Sequence, residues 1–357
     1  MTSNDESSNS KTGQRVLVRE QVTIRDVARA LKVSHPTVSR ALHGRPGVGK
    51  KLTQLIRTKA EELGYVPNRS AQDLRGADTA LIGLVIPDLG NDIWGSITRF
   101  LAGDLRQRGM NVVLTDSNED SELELTHVRG LREARMGGII VAPTIHMKVE
   151  TLELLRKVPA VQLVRNHKGW DAPLITIDMR SAATQAVQHL HSLGHHRIAY
   201  VGMTPQLITG ADGLRGFRQA MKNGGMDPKY AISNPGAPRA ALGETVTGEL
   251  LDKKHRPTAI IYANSELTIG GIAALQARGL RAPEDVSIVA HHDPAWFKLW
   301  GPGITTVAMP VKDLAEGASR TLLELTSRPK QTNSSRRPAT LVLPPHLIVR
   351  GTTAAPP

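Results

Sequence analysis

The sequence predicts an all-α helix-turn-helix head followed by an α/β core of two doubly wound subdomains. Two patterns and one charge asymmetry predict it. Residues 23 to 64 carry apolar side chains at helical spacing in three short blocks, and from residue 81 short apolar runs alternate with amphipathic stretches, as parallel sheets with crossover helices require. Of the formal net charge of +12, residues 1 to 76 hold 14 Lys or Arg against 7 Asp or Glu, a net +7, which leaves +5 for the 281 residues that follow. Charge concentrated in so short a segment points to a polyanionic partner, nucleic acid above all.

Residues 1 to 21 lack apolar periodicity and read as a disordered, modestly basic arm carrying Lys11, Arg15 and Arg19. In TIRDVARAL, Thr23 caps a helix with Asp26 as its capping-box partner, and Ile24, Val27, Ala28 and Leu31 recur on one face. VSHPTVSRALHG opens a second helix. Ser34 is its N-cap, and Pro36 is tolerated because first-turn amides have no intrahelical partner to lose. Its inner face is Val38, Ala41 and Leu42. A third helix starts near Gly49, sets Leu52, Leu55, Ile56, Ala60 and Leu63 on one stripe, and stops at Gly64. The three make a helix-turn-helix domain over residues 22–67.

The second helix has the make-up of an element that enters a DNA groove. His35, Pro36 and Thr37 in its first turn, with Ser39 one turn on, are short enough for the backbone to approach the duplex. Ser39 and the helix amides suit phosphate oxygens, and the Arg40 fork suits guanine O6 and N7, a pairing worth about 1–3 kcal/mol of discrimination. Thr23 and Ser34 complete the candidate contact set in the head.

VTIRDVARALKVSHPTVSRALHG, followed by AEELGYVPNRSAQDLRG, resembles the lactose-repressor (LacI/GalR) family of bacterial transcription regulators, and the similarity continues through most of the chain. It implies a hinge helix and linker over residues 68–78, with Asn68 and Arg69 at the DNA. Two hinges would pair across a dimer axis, Ala71 allowing close approach and Leu74 wedging into the minor groove. The residues agree with this: about eight positions with two apolar side chains are too few to hold a helix without DNA. The resemblance also implies a repressor that binds a palindromic operator as a homodimer under control of a small ligand.

In residues 79–350, ALIGLVIP, MNVVLT, GGIIVAP and PAVQLV read as one series of strands, with helices over 92–108 and 122–135. LITID, RIAYVG, TAIIYA and DVSIVA read as a second series, with helices near 180–193, 211–223, 240–253 and 266–279. ITTVAMP, a helix over 311–327 and TLVLPPHLIVR then return between subdomains, which matches the periplasmic-binding-protein-like core that the family resemblance implies. Residues 328–338 read as a loop and 351–357 as a flexible tail. No terminal leucine heptad supports a tetramer.

Ligands of such sheets bind at the carboxyl ends of the strands. Asn91 and Trp94 after the first strand, Arg165 after the fourth, and Asn264 and His292 at later strand ends are therefore the effector candidates, with Trp94 suited either to stacking on a sugar face or to core packing. Three positions depart from the family pattern. Gly213 in GLRGF stands where most members have arginine, Ser265 follows Asn264 where an aspartate is usual, and Ala290-His291-His292-Asp293 replaces a Gly-aromatic-Asp-Asp stretch. These changes remove acceptor carboxylates and add imidazole. They point away from a simple neutral hexose, towards an anionic effector such as a sugar acid or sugar phosphate, or towards loss of effector response.

Other chemistries find little support. Zero cysteines exclude disulfides, thiolate catalysis and cysteine-ligated zinc. His189, His191, His195 and His196 lack metal-site spacing and read as surface histidines around a helix end. Neither a phosphate-binding glycine loop nor a GxSxG elbow is present, so an enzyme reading has no chemical machinery, and no cofactor is expected. A sugar-binding protein without a DNA role would need an export signal and would not need residues 23 to 75. With no apolar run near the roughly 20 residues of a membrane span, the expected setting is the bacterial cytoplasm, at the nucleoid.

Overall fold

Thr23 opens the first helix through the Asp26 carboxylate, which accepts from its N–H at 2.9 Å and from its hydroxyl at 2.6 Å. In this computed structural model, residues 22–42, 44–65, 81–233, 238–327 and 339–357 are described. The arm and the hinge segment, with Asn68, Arg69, Ala71 and Leu74, lie outside the described residues. Helix α1 spans Ile24–Leu31, α2 His35–Leu42 and α3 Lys50–Glu62. Only Lys32 to Ser34 separate α1 from α2, with Lys32 in the left-handed region at φ 53°, and the Thr37 N–H donates to Ser34 Oγ at 3.3 Å to start α2. Val27, Ala28, Val38, Ala41, Ile56 and Ala60 form the head's small core. Leu55 does not join it, being 54% exposed. Three short helices cover only a narrow stripe of α3, which the row Leu52, Ile56, Ala60 fills, so Leu55 falls outside the stripe.

The chain divides into two compact units, Met1–Ala77 and Asp78–Pro357. The second unit contains two six-stranded sheets. The first is built from β1 Leu81–Ile86, α4 Asp92–Gln107, β2 Asn111–Asp116, α5 Ser121–Glu133, β3 Gly138–Val141, α6 Val149–Leu155, β4 Ala160–Leu163 and β5 Leu174–Ile177. Then come α7 Met179–Ser192, β6 Ile198–Gly202, α8 Ile208–Asn223, β7 Ala231–Ser233, α9 Ala240–Leu251, β8 Ala259–Tyr262, α10 Ser265–Ala277 and β9 Ser287–His291. A 3-10 turn, Ala295–Lys298, precedes β10 Thr305–Ala308, α11 Val311–Ser327, β11 Thr340–Leu343 and β12 His346–Ile348. Strand order is β11-β5-β4-β3-β1-β2 in the first sheet and β12-β10-β9-β8-β6-β7 in the second. All pairings are parallel except β10 with β12.

LITI, expected in the second series, is the fifth strand of the first sheet, paired with β4 through Leu163 and Ile175 and with β11 through Leu341 and Ile175. A four-residue apolar run does not announce which sheet it joins; the crossing happens one residue later, at Asp178, which caps α7 by accepting from the Ser181 N–H at 2.9 Å. Helix α11 returns to bury Leu314, Ala315, Ala318 and Leu322 in the first subdomain's core, and β11 and β12 then split TLVLPPHLIVR between the sheets. Three crossings therefore join the subdomains. Helix α6 and strand β7 are additional elements, too short to show a period in the sequence.

The segment 351–357 is not a loose tail. Thr352 is fully buried; its Oγ1 accepts from the Thr305 N–H at 2.8 Å and donates to the Ile288 carbonyl at 3.0 Å. His195, expected at the surface, is fully buried beneath it, with Nε2 2.8 Å from the Ala354 carbonyl and Nδ1 2.9 Å from Thr258 Oγ1. His189 meets Thr353 Oγ1 at 2.9 Å. Polar side chains around a strand edge draw the chain end in, because they satisfy backbone groups that would otherwise be buried alone. Among the described residues no helix is long and apolar enough to cross a membrane.

Candidate functional site

The strand ends of both sheets converge on one cavity. Asn91 and Trp94 enter it from beyond β1, Arg165 from beyond β4, Asn264 from beyond β8 and His292 from beyond β9, so all five sequence-derived effector candidates line the same space. Sequence reasoning missed much of its wall: Met179, Met203 and Met309 follow β5, β6 and β10, and Ile177 and Val164 add further apolar surface. A methionine after a strand carries no signal that separates it from ordinary core.

Each polar group is held for a reason that can be read locally. Asn91 caps α4, its side chain accepting from the Ile93 N–H at 3.3 Å, and Asn264 caps α10, accepting from the Leu267 N–H at 2.8 Å. Their carbonyl oxygens are spent on the caps, and their amide N–H groups remain to donate. Arg165 Nη1 donates to Glu119 Oε1 at 2.5 Å and to the Pro143 carbonyl at 3.3 Å, while its guanidinium carbon sits 5.8 Å from the centre of the Trp94 ring. Val164 (φ 63°) and His292 (φ 75°) sit in the left-handed region, uncommon for non-glycine residues and strained for a β-branched valine. The Arg165 N–H bonds the Leu163 carbonyl at 2.6 Å across Val164, a tight turn that aims Arg165 at the cavity.

His292 Nδ1 and Ser265 Oγ are buried without a partner among the described residues. Burial pushes the His292 imidazole down to about 4, so it is neutral at physiological pH. The second imidazole does not reach the cavity. His291, the last residue of β9, is fully buried away from the cavity lining, with its ring centre 6.4 Å from that of Tyr200.

Two sets of bonds span the cleft between the subdomains. Trp296 Nε1 donates to Asp92 Oδ2 at 3.1 Å, and Arg239 donates to Asp88 Oδ2 and to Asn118 Oδ1, each at 3.0 Å. In the head, His35, Pro36 and Arg40 are exposed on α2 and Thr37 and Ser39 half-buried. The Arg40 guanidinium extends towards Gly47, 3.9 Å from where a Cβ there would lie.

Residues 23–68 match the family of bacterial regulatory proteins of the lacI type, and residues 187–353 match a periplasmic binding protein-like domain. Catabolite control protein A of Priestia megaterium is 30% identical over 330 residues, covering 92% of this chain and 97% of that protein. This chain belongs to the LacI family. The HTH-type transcriptional regulator DegA of Bacillus subtilis is 29% identical over 340 residues, covering 94% of this chain and 98% of DegA. A crystal structure of the lac repressor dimer bound to operator and the anti-inducer ONPF superposes with a TM-score of 0.76 at 26% identity, covering 94% of this chain and all of that one. The chain is accordingly a LacI-family DNA-binding transcriptional regulator.

The departures from the LacI-family pattern have visible causes. A Cβ on Gly213 would lie 2.3 Å from Tyr200 Oη, so the tyrosine occupies the room an arginine there would need. Asp293, the retained aspartate of the altered stretch, holds Arg350 through a two-pronged pair at 2.7 and 2.8 Å and serves the chain end rather than the cavity.

Proposed function

We propose that this LacI-family regulator is a repressor that binds a palindromic operator as a homodimer, with a small ligand, a sugar or sugar derivative, in the cavity as its effector. Thr23, Ser34, His35, Pro36, Thr37, Ser39 and Arg40 in the head, and Asn68, Arg69, Ala71 and Leu74 in the hinge of residues 68–78, carry the DNA contacts. Asn91, Trp94, Arg165, Asn264 and His292 carry the effector contacts. The observation that supports the effector role best is the convergence of those five side chains, from both sheets, on one cavity.

Control follows from the bonds across the cleft. The pairs Trp296–Asp92, Arg239–Asp88 and Arg239–Asn118 exist only while the subdomains are closed. A ligand that binds the closed form more tightly shifts the population towards it, changes the separation of two hinges in a dimer, and alters the cost of seating both heads on one operator. Coupling of this type is about 1–3 kcal/mol. No catalytic step is assigned to the chain, and its setting is the cytoplasm, at the nucleoid.

Selection of bound fragments from the source genome, followed by footprinting, tests the reading. A protected palindrome with a symmetric pair of half-sites is expected. Equal and weak affinity for every duplex at low ionic strength overturns it.

A further inference from the structure

Arg165 is the only Lys or Arg lining the cavity among the described residues, and its charge is already met. Its side chain is 7% exposed and that of Glu119 11%, so the pair is shielded from solvent. Glu119 is held firmly. It sits at φ 59° next to Asn118 at φ 47°, its N–H donates to the Pro87 carbonyl at 2.8 Å, and its Oε2 accepts from the Ile145 N–H at 3.3 Å. Behind it lies a second carboxyl, Glu124, fully buried and accepting from the Thr144 N–H at 2.8 Å and from its hydroxyl at 2.9 Å. Two carboxyls thus stand behind one guanidinium. The remaining polar lining, Asn91, Thr209, Asn264, Ser265 and the neutral His292, carries no charge.

We propose that Glu119 sets the charge selectivity of the cavity: by satisfying Arg165 it reserves the site for an uncharged ligand and excludes anions. This rests on the reading of the cavity as the effector site and replaces the anionic alternative that the loss of carboxylates in the sequence suggests. The bonds to Glu119 and Pro143 both leave from Nη1 of Arg165, so its other N–H groups are placed to donate to a hydroxyl or carbonyl of a neutral ligand. An anion, by contrast, has to compete with a buried carboxylate 2.5 Å from the guanidinium, and pulling that partner away would leave it buried and uncompensated. The sequence hides this because Glu119 lies 46 residues from Arg165 and reads as one more acid in NEDSELE.

The test compares the full-length wild type with Glu119→Gln and with the double variant Glu119→Gln/Arg165→Gln. Glutamine removes the charge and keeps the shape, since its amide oxygen still accepts from Arg165 or Ile145. Thermal melting and calorimetric titration are run with inorganic phosphate, gluconate, glucose 6-phosphate and glucose, against chloride at matched ionic strength. Wild type is expected to ignore the three anions beyond the chloride control. Glu119→Gln should bind at least one of them about tenfold more tightly than wild type, and the double variant should lose that gain. Anion binding by wild type equal to that of Glu119→Gln, and lost in the double variant, would overturn the role of Glu119 while leaving the cavity reading intact. A gain that survives in the double variant would overturn it as well. Should Glu119→Gln melt too low to titrate, wild type alone decides: tighter binding of glucose 6-phosphate than of glucose refutes the proposal.

Discussion

Tyr200 and Gly213 offer the sharpest test of why position 213 carries no arginine. Tyr200 is fully buried, stacks on Phe217 at 5.1 Å between ring centres, and has a hydroxyl with no hydrogen-bond partner among the described residues. A Cβ on Gly213 would meet that hydroxyl at 2.3 Å and the ring carbon bearing it at 3.5 Å. Gly213→Ala alone therefore overpacks the core, at a cost of about 1–3 kcal/mol, of which the better helix propensity of alanine returns up to about 1 kcal/mol. Tyr200→Phe removes an unsatisfied buried hydroxyl and should stabilise by about 1 kcal/mol. With the hydroxyl gone the remaining contacts, the ring carbon at 3.5 Å and the Met179 methyl at 3.9 Å, are ordinary packing. The double variant should then be more stable than the sum of the single changes by about 1–3 kcal/mol. Urea unfolding of all four proteins, followed by far-UV circular dichroism, measures the cycle. If Gly213→Ala costs the same in both backgrounds, the hydroxyl is not what excludes a side chain at that position, and the reasoning fails.

Four further outcomes are expected. Burial raises the Glu124 carboxyl from its ordinary 4.5 to about 7, so the folded core holds that proton more tightly and gains stability as pH falls from about 7 towards 4.5, by up to about 3 kcal/mol. His291 and His292, both lowered by burial to about 4, oppose this below 6.5, so the difference between wild type and Glu124→Gln across that window is the quantity to follow; a flat difference refutes the assignment. Arg40→Ala should relax preference at one base pair per half-site by about 1–3 kcal/mol, read in competition binding, and equal loss on all sequences would contradict its role. Arg239→Ala removes a half-exposed pair worth up to about 1 kcal/mol across the cleft, so small-angle scattering should show a more open core; unchanged scattering counts against the closure mechanism. Thr352→Val leaves the Thr305 N–H and Ile288 carbonyl without their partner and should cost about 1–3 kcal/mol in urea, whereas a neutral result would mean the chain end is not anchored there.

Much of the site was legible before the fold. Strand ends in α/β sheets are where ligands bind, so Asn91, Trp94, Arg165, Asn264 and His292 could be picked from the positions that follow apolar runs. The methionine wall could not, since Met179, Met203 and Met309 are distinguished from core only by the gap they face. Imidazole content misled for a related reason. His291 and His292 are adjacent in sequence, yet β9 ends at His291 and the backbone turns at His292 (φ 75°), and only His292 meets the cavity.

The local grammar can be read from the residues alone: the three head helices with their caps, the alternation of strand and helix, and the net charge of the N-terminal segment. These depend on neighbours a few residues apart, where periodicity and capping act. Long-range packing settled the rest: which sheet LITI joins, that the chain end is drawn in over His195, that Tyr200 fills the space beside Gly213, and that Glu119 neutralises Arg165. Each of these is a contact between residues well separated in the chain, and its energy comes from burial and pairing that no local pattern records.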